Sequence, residues 1–209
     1  SAASDVYKRQ PDMREITISD KSEACDFIKD SCKECNRKYE CTGENAAFCN
    51  HMKNILVAKY GAAEGCLKES RIRHSMGVAN FLFAYAKSHD WSKEETEDLY
   101  LTGLLHDIGY IDNPKGTDHG RLGAEILKRN GLNAEICELI SCHGRFIENP
   151  SRKQALLWLA DLCVNRDGDY IGYQKRYESI KERYKNDPER LFQVYRILEY
   201  LQIHFSEYR

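Results

Sequence analysis

No stretch of this chain is long and apolar enough to cross a bilayer. The longest apolar segments, Val78–Ala86 and Ala155–Ala160, are short and contain or adjoin polar residues, whereas a span needs about 20 consecutive apolar residues. The N-terminus shows no succession of charged n-region, apolar h-region and small-residue cleavage site, so secretion is not suggested and the cytoplasm is the expected setting. An excess of one charge is also lacking: 31 Lys and Arg stand against 33 Asp and Glu, a formal net charge of -2. That balance gives no bulk attraction to nucleic acid or anionic lipid. There is no internal repeat, no coiled-coil register and no low-complexity tract, which leaves an ordinary globular chain.

What is present fits that class. The 209 residues, 42% hydrophobic and 31% charged, suffice for one substantial core plus a small accessory segment. Three regions are expected. Residues 1–20 read as a disordered or artefactual tail: Ser1–Gln10 resembles a translated sequencing adapter, lacks an initiator Met and has no apolar periodicity. Residues 21–66 form a cysteine-rich segment, and residues 67–209 the main domain. Six of the nine cysteines lie before residue 67. A disulfide framework would suit a shorter secreted chain, so in a cytoplasmic setting the cluster reads as free thiols or metal ligands.

From residue 68 onward the apolar period is helical. Ile72, Met76, Ala79, Phe83 and Ala86 recur at three and four across Lys68–His89. Ser92 followed by Glu95 is a capping-box pattern for a helix over Lys93–Asp107. Gly109, Asn113–Pro114 and Gly116 predict a loop over Ile108–Thr117. Further helices are expected over His119–Arg129, Ala134–Cys142, Lys153–Asn165, Tyr173–Lys185 and Pro188–Tyr208. The predicted fold class is all-α, an irregular helical domain with little or no sheet.

Within this pattern two carboxylates stand out. Asp161 sits inside the apolar run LLWLADLC and Asp107 follows Leu104–Leu105. A carboxylate buried without a partner is costly. His74, His106, His119 and His143 fall at expected helix starts or ends, where side chains from separate helices can converge. Imidazole and carboxylate together suit Zn, Fe or Mn. His89, His204 and His51 read as structural or exposed instead.

RIRHS at Arg71–Ser75, HDIGY at His106–Tyr110, DHGRLGAEIL at Asp118–Leu127, SCHG at Ser141–Gly144 and LADLC at Leu159–Cys163 occur in that order. Together they resemble the ordered motifs of the HD-domain phosphohydrolase superfamily, over roughly residues 68–170. The resemblance implies a metal-dependent hydrolase with His74, His106, Asp107 and Asp161 as core ligands. It also implies that His119 and His143 hold a second ion where there are two, Asp107 then bridging them. One or two divalent ions (Fe, Mn or Zn) are the implied cofactors. The pattern is shared by diadenosine tetraphosphate hydrolases and the cyclic-dinucleotide phosphodiesterases called HD-GYP. HDIGYIDNP in place of a lysine-containing segment, and His143–Gly144 in place of a histidine pair, argue against cyclic di-GMP.

Phosphoryl chemistry needs positive charge beside the ions. Arg71, one turn before His74, Lys115 in the loop after the doublet and Arg145 just after His143 are the candidate catalytic cations. Asp112 and Asp118 are both candidates for an outer base. Cys32, Cys35, Cys41 and Cys49, with a knuckle-like Cys32-x2-Cys35, are candidate ligands of a structural zinc. The expected function is hydrolysis of a phosphate ester or anhydride in a small phosphorylated metabolite, nucleotide or dinucleotide. The alternative is a non-catalytic nucleotide- or metal-binding sensor or adaptor. No membrane or nucleic-acid partner is expected, and an oligomer is compatible with the sequence.

Overall fold

The computed structural model describes residues 69–110, 116, 118–129 and 131–209. The expected tail (1–20), the cysteine-rich segment (21–66) with Cys32, Cys35, Cys41 and Cys49, and also His51, Asp112 and Lys115, lie outside the described residues. Among the described residues seven α-helices follow one another: α1 Glu69–Ser88, α2 Lys93–Leu105, α3 His119–Arg129, α4 Ala134–Cys142, α5 Arg152–Cys163, α6 Tyr173–Arg183 and α7 Pro188–His204. Two 3-10 turns, Ile108–Tyr110 and Ser206–Tyr208, complete the order. Among the described residues there is no strand, only an isolated antiparallel bridge between Val164 and Tyr170. No described helix is long and apolar enough to cross a membrane.

Side-chain caps set several helix starts. Ser92 accepts from Glu95 N while the Glu95 carboxylate accepts from Ser92 N, closing the expected capping box. Asn133, Ser151 and Asp187 cap α4, α5 and α7, and Pro188 occupies the first turn of α7, where its missing N–H costs nothing. Two expectations need correction. The segment after the His–Asp doublet is not all loop, because Tyr110 N donates to Asp107 O (3.1 Å) and buries Ile108 and Tyr110 in a tight turn. The last helix stops at His204 rather than Tyr208. A 3-10 turn there folds Tyr208 back onto Phe81 and Tyr85, with ring centroids 5.7 and 6.2 Å away.

The core is organised around α5. Every residue from Gln154 to Ala160 is buried, so this helix is apolar all round and must sit inside the domain. It packs on α1, α2, α4, α6 and α7. Trp158, 1% exposed, lies against Phe146 and Tyr200. A second cluster joins Met76 and Ala79 of α1 to Tyr100, Leu104 and Leu105 of α2 and to the apolar faces of α3 and α4. The ends of five helices are thereby brought to one region between the two clusters.

α1 and α2 cross closely because Gly103 has no side chain. A Cβ there would lie 2.7 Å from Ala79 Cα and 2.8 Å from Ala79 N. Those are backbone atoms and cannot rotate aside. Gly103→Ala gains about 1 kcal/mol of helix propensity but overpacks the crossing by about 1–3 kcal/mol. The expected outcome is a net loss of stability of up to about 2 kcal/mol with helical content retained, measured by urea unfolding. A stabilised variant would show that the crossing is loosely packed.

Candidate metal centre

Each polar side chain of the centre comes from a helix end. His74 lies near the start of α1, His106 is the C-cap of α2, and Asp107 opens the turn that follows. His119 is the first residue of α3, His143 the C-cap of α4, and Asp161 lies in the last turn of α5. The adjacent pair His106–Asp107 can face one centre because the α-helix has already ended at Leu105. Gly120 lets α3 approach α4: a Cβ there would meet Ile140 O at 2.8 Å, Ser141 O at 3.0 Å and His143 Nδ1 at 3.2 Å.

All four imidazoles are oriented in the same way. His74 Nδ1–H donates to Asn165 O (3.0 Å), His106 Nδ1–H to Gly103 O (2.7 Å), His119 Nδ1–H to Gly116 O (2.9 Å) and His143 Nδ1–H to Ile140 O (2.6 Å). A carbonyl oxygen only accepts, so each Nδ1 carries the proton, and in the neutral ring Nε2 carries the lone pair. Backbone anchoring of this kind is the usual support of metal-ligating histidines.

The four Nε2 atoms converge on two carboxylates. His74 Nε2 is 2.9 Å and His106 Nε2 3.9 Å from Asp161 Oδ1. Asp107 Oδ2 lies 3.7 Å from His106 Nε2, and Asp107 Oδ1 lies 3.4 Å from His119 Nε2 and 3.7 Å from His143 Nε2. Three overlapping groups of donor atoms could each hold a metal ion: His74, His106 and Asp107; His106, His143 and Asp161; Asp107, His119 and His143.

The arrangement fits a cation because it is incomplete with protein atoms alone. His106 Nε2 is buried without a hydrogen-bond partner. The Nε2 atoms of His119 and His143 stand 2.8 Å apart with both Nδ1 protons already committed. Two lone pairs at that separation repel unless positive charge lies between them. Burial lowers the pKa of His106 to about 4, and burial with the neighbouring His143 lowers that of His119 to about 4, so both rings are neutral donors at neutral pH. For His143, burial opposes charge, but the negative charge of Asp107, whose Oδ1 lies 3.7 Å from Nε2, prevails and raises the pKa. Asp107, which is buried, and Asp161, which is only partly buried, both stay ionised. His106 and Arg71 hold the Asp107 carboxyl well below the usual range, and His74 does the same for Asp161.

Arg71 belongs to the centre as well. Its Nη1 lies 2.6 Å from Asp107 Oδ2, and its guanidinium stacks 3.7 Å over Tyr110. Tyr110 also stacks on His119 at 4.3 Å, so one ring braces both. Arg145 is exposed but lines the same cavity of about 400 Å³. Asp118 is exposed on its rim, with its carboxylate held by Arg121 Nε at 2.5 Å. His89 stacks on Tyr85 and His204 on Tyr200, outside the centre.

Three contributors escaped the sequence-based reading. Tyr110 stood inside a quoted motif but had no assigned role. Asn165 acts through its backbone carbonyl, which no side-chain pattern reveals. Arg176 of α6 lines the cavity and is buried. Its i, i+7 relation to Arg183 on a charged helix was the available signal.

Cation binding to the folded chain alone adds stability by mass action, about 2.7 kcal/mol at a hundredfold excess over Kd. Chelator-stripped protein is therefore expected to melt at lower temperature and to recover when Mn, Fe or Zn is returned. His106→Ala removes one Nε2 donor and is expected to abolish most of the recovery. Scanning calorimetry reads both, and an unchanged response in the variant would exclude His106 as a ligand.

Comparison with known proteins agrees with this geometry. The chain is 35% identical over 92 residues to Ribonuclease Y of Fervidobacterium nodosum, which covers 40% of this chain and 18% of that protein. It is 31% identical over 77 residues to an uncharacterized protein of Methanocaldococcus jannaschii, covering 36% of this chain and 45% of that one. The similar regions thus span less than half the length of either relative. No solved structure matches the chain significantly. The HD domain model matches residues 71–191, more than half of the chain and every residue of the centre just described, and the protein belongs to the HD-domain family.

Proposed function

We propose that the protein is a metal-dependent phosphohydrolase acting on a phosphate ester or anhydride of a nucleotide or dinucleotide. The observation that carries this is the double facing of Asp107: Oδ2 toward His106 and Arg71, Oδ1 toward His119 and His143. That geometry supports two neighbouring cation positions sharing one carboxylate. His74, His106 and Asp161 would complete one, and His119 with His143 the other. Mixed imidazole and carboxylate donors suit Fe, Mn or Zn. Such ions, when bound, polarise a phosphoryl oxygen and lower the pKa of water.

The chain's own groups do the rest. The backbone carbonyls hold the four imidazoles in one tautomer, so no reorganisation is needed on loading. Arg71, fixed by Asp107 and Tyr110, presents fixed positive charge to a phosphoryl group in the cavity, where it offsets charge gathered in the transition state. Arg145 at the rim offers a second cation, and Lys115 is a third candidate. Asp118, already held by Arg121, is the described candidate for an outer base. The name of one relative, Ribonuclease Y, is that of an enzyme acting on RNA, a phosphodiester, which supports the reaction type and leaves the substrate of this chain to experiment. Residues 67–209 would form the catalytic unit. Cys32, Cys35, Cys41 and Cys49 in residues 21–66 are the candidates for a separate structural zinc.

The test is release of p-nitrophenol from bis(p-nitrophenyl) phosphate and of inorganic phosphate from nucleotides, with Mn, Fe or Zn supplied. Asp107→Asn keeps the shape but loses the shared charge. It is expected to lower kcat by about 10³-fold or more, since an ion's contribution is worth several kcal/mol, with circular dichroism unchanged. Wild-type rates in a folded Asp107→Asn variant would sink this proposal.

A further inference from the structure

Beyond the ligand residues, the cavity is lined by α6 with its C-cap Tyr184, and by α7, which adds Glu189 and Arg190. Arg176, Ile180, Arg183 and Tyr184 all line it. Their spacing, i, i+4, i+7 and i+8, places them on one helix face. Arg176 and Arg183 are therefore separated by about 10 Å along the axis. At the inner end, Arg176 is 5% exposed, and its Nε is buried with no hydrogen-bond partner among the described residues. At the outer end, Arg183 is half-buried, and Tyr184 carries the guanidinium of Arg190 from α7 4.3 Å over its ring.

A guanidinium cannot shed its charge, and burying it without a bonded anion is costly. Burial works against the charge of Arg176, and the compensating field comes from Asp161 and Asp107, against repulsion by Arg183 and Arg71. Those two carboxylates are the ones assigned to the cations. Once they are engaged, Arg176 lacks an anion, and the cavity beside it is where one can bind. A single phosphate at the ions would meet Arg71 first, because Arg71 is already paired with Asp107. Arg176 and Arg183, about 10 Å apart along the helix, span more than one phosphate can fill.

We propose that the Arg176–Arg183 face of α6 is a binding subsite for a second, linked phosphoryl group, so that the metal centre serves substrates carrying a chain of at least two phosphates. The proposal rests on the phosphohydrolase reading above and narrows its substrate class. Arg176 is a specificity residue in this scheme, donating from its terminal nitrogens to non-bridging oxygens of the phosphoryl group next to the one at the ions. Arg183 takes the more distal end of the chain.

The test is calorimetric titration of purified metal-loaded protein with inorganic phosphate, pyrophosphate and tripolyphosphate, with metal content measured alongside. Wild type is expected to bind pyrophosphate at least about tenfold more tightly than phosphate, one charge-assisted contact being worth that factor. Arg176→Gln is expected to remove this preference while metal content and phosphate affinity stay within about threefold. Arg176→Lys, which keeps the charge without the fork, is expected to restore part of it. Arg183→Gln, at a half-exposed position that leaves the core untouched, is expected to weaken tripolyphosphate more than pyrophosphate. Equal affinity of wild type for phosphate and pyrophosphate overturns the proposal, and so does a full preference in Arg176→Gln. Should Arg176→Gln lose metal or fold, Arg183→Gln decides, and unchanged tripolyphosphate binding there overturns the proposal. Phosphate binding that persists without a polyphosphate preference leaves the metal-site reading standing and removes this one alone.

Discussion

Four imidazole protons committed to backbone carbonyls are the constraint on which the centre depends. Because Asn165, Gly103, Gly116 and Ile140 each receive an Nδ1–H, the four rings have no freedom to resolve their mutual crowding by changing tautomer. Their Nε2 lone pairs must face Asp107, Asp161 and one another. Negative and lone-pair density gathered in this way is unfavourable in a buried setting. The folded chain holds it in place because the helix ends that carry the rings are fixed by packing elsewhere. Positive charge supplied at that point relieves the strain directly, which is why the same geometry that is costly when bare is selective for cations.

The packing that supplies this rigidity is set at a distance from the centre. The continuous buried run of α5 from Gln154 to Ala160 requires helices around it, and α1, α2, α4, α6 and α7 pack on it. Small residues decide how near those ends come. Gly103 brings α2 onto α1, and so His106 toward His74, whose rings meet edge to face at 5.3 Å. Gly120 brings α3 onto α4, and so His119 toward His143 at 4.7 Å. The centre is thus the meeting point of two helix pairs, each locked by a missing side chain. Asp107 sits between the pairs with one oxygen for each.

Much of this was legible in the amino-acid sequence for definite reasons. Asp161 could be singled out because a carboxylate inside LLWLADLC has no inexpensive place to go. The helix over Ala134–Cys142 could be bounded because His143–Gly144 follows an unbroken apolar period. The ordered motifs then tied His74, His106, Asp107, His119 and His143 together, and the structure places all of them with Asp161 around one point. What escaped were features without a side-chain signature or without local context. The Asn165 carbonyl works through the main chain. The Ile108–Tyr110 turn depends on burial against α3, not on turn residues, and was expected as loop. Arg176 looked like one more charge on a helix of alternating charges, since only the tertiary fold turns that face inward.

Charge distribution, not net charge, distinguishes this surface. A formal charge of -2 over 209 residues does not reveal that arginines gather on the lining of one cavity. Its lining sets the carboxylates Asp107 and Asp161 beside the arginines Arg71, Arg176 and Arg183. With the carboxylates unengaged, the two sets compensate each other, and Asp107 is held by Arg71 at 2.6 Å. With cations on the carboxylates, that set would become neutral or positive and the arginines would lose their counter-charge. On the proposed function, affinity for an anion would then rise with cation binding, and by reciprocity an anion would tighten the cation. Under the proposed function, a cavity built this way would exchange one compensated state, carboxylates against arginines, for another in which metal and phosphate are bound together.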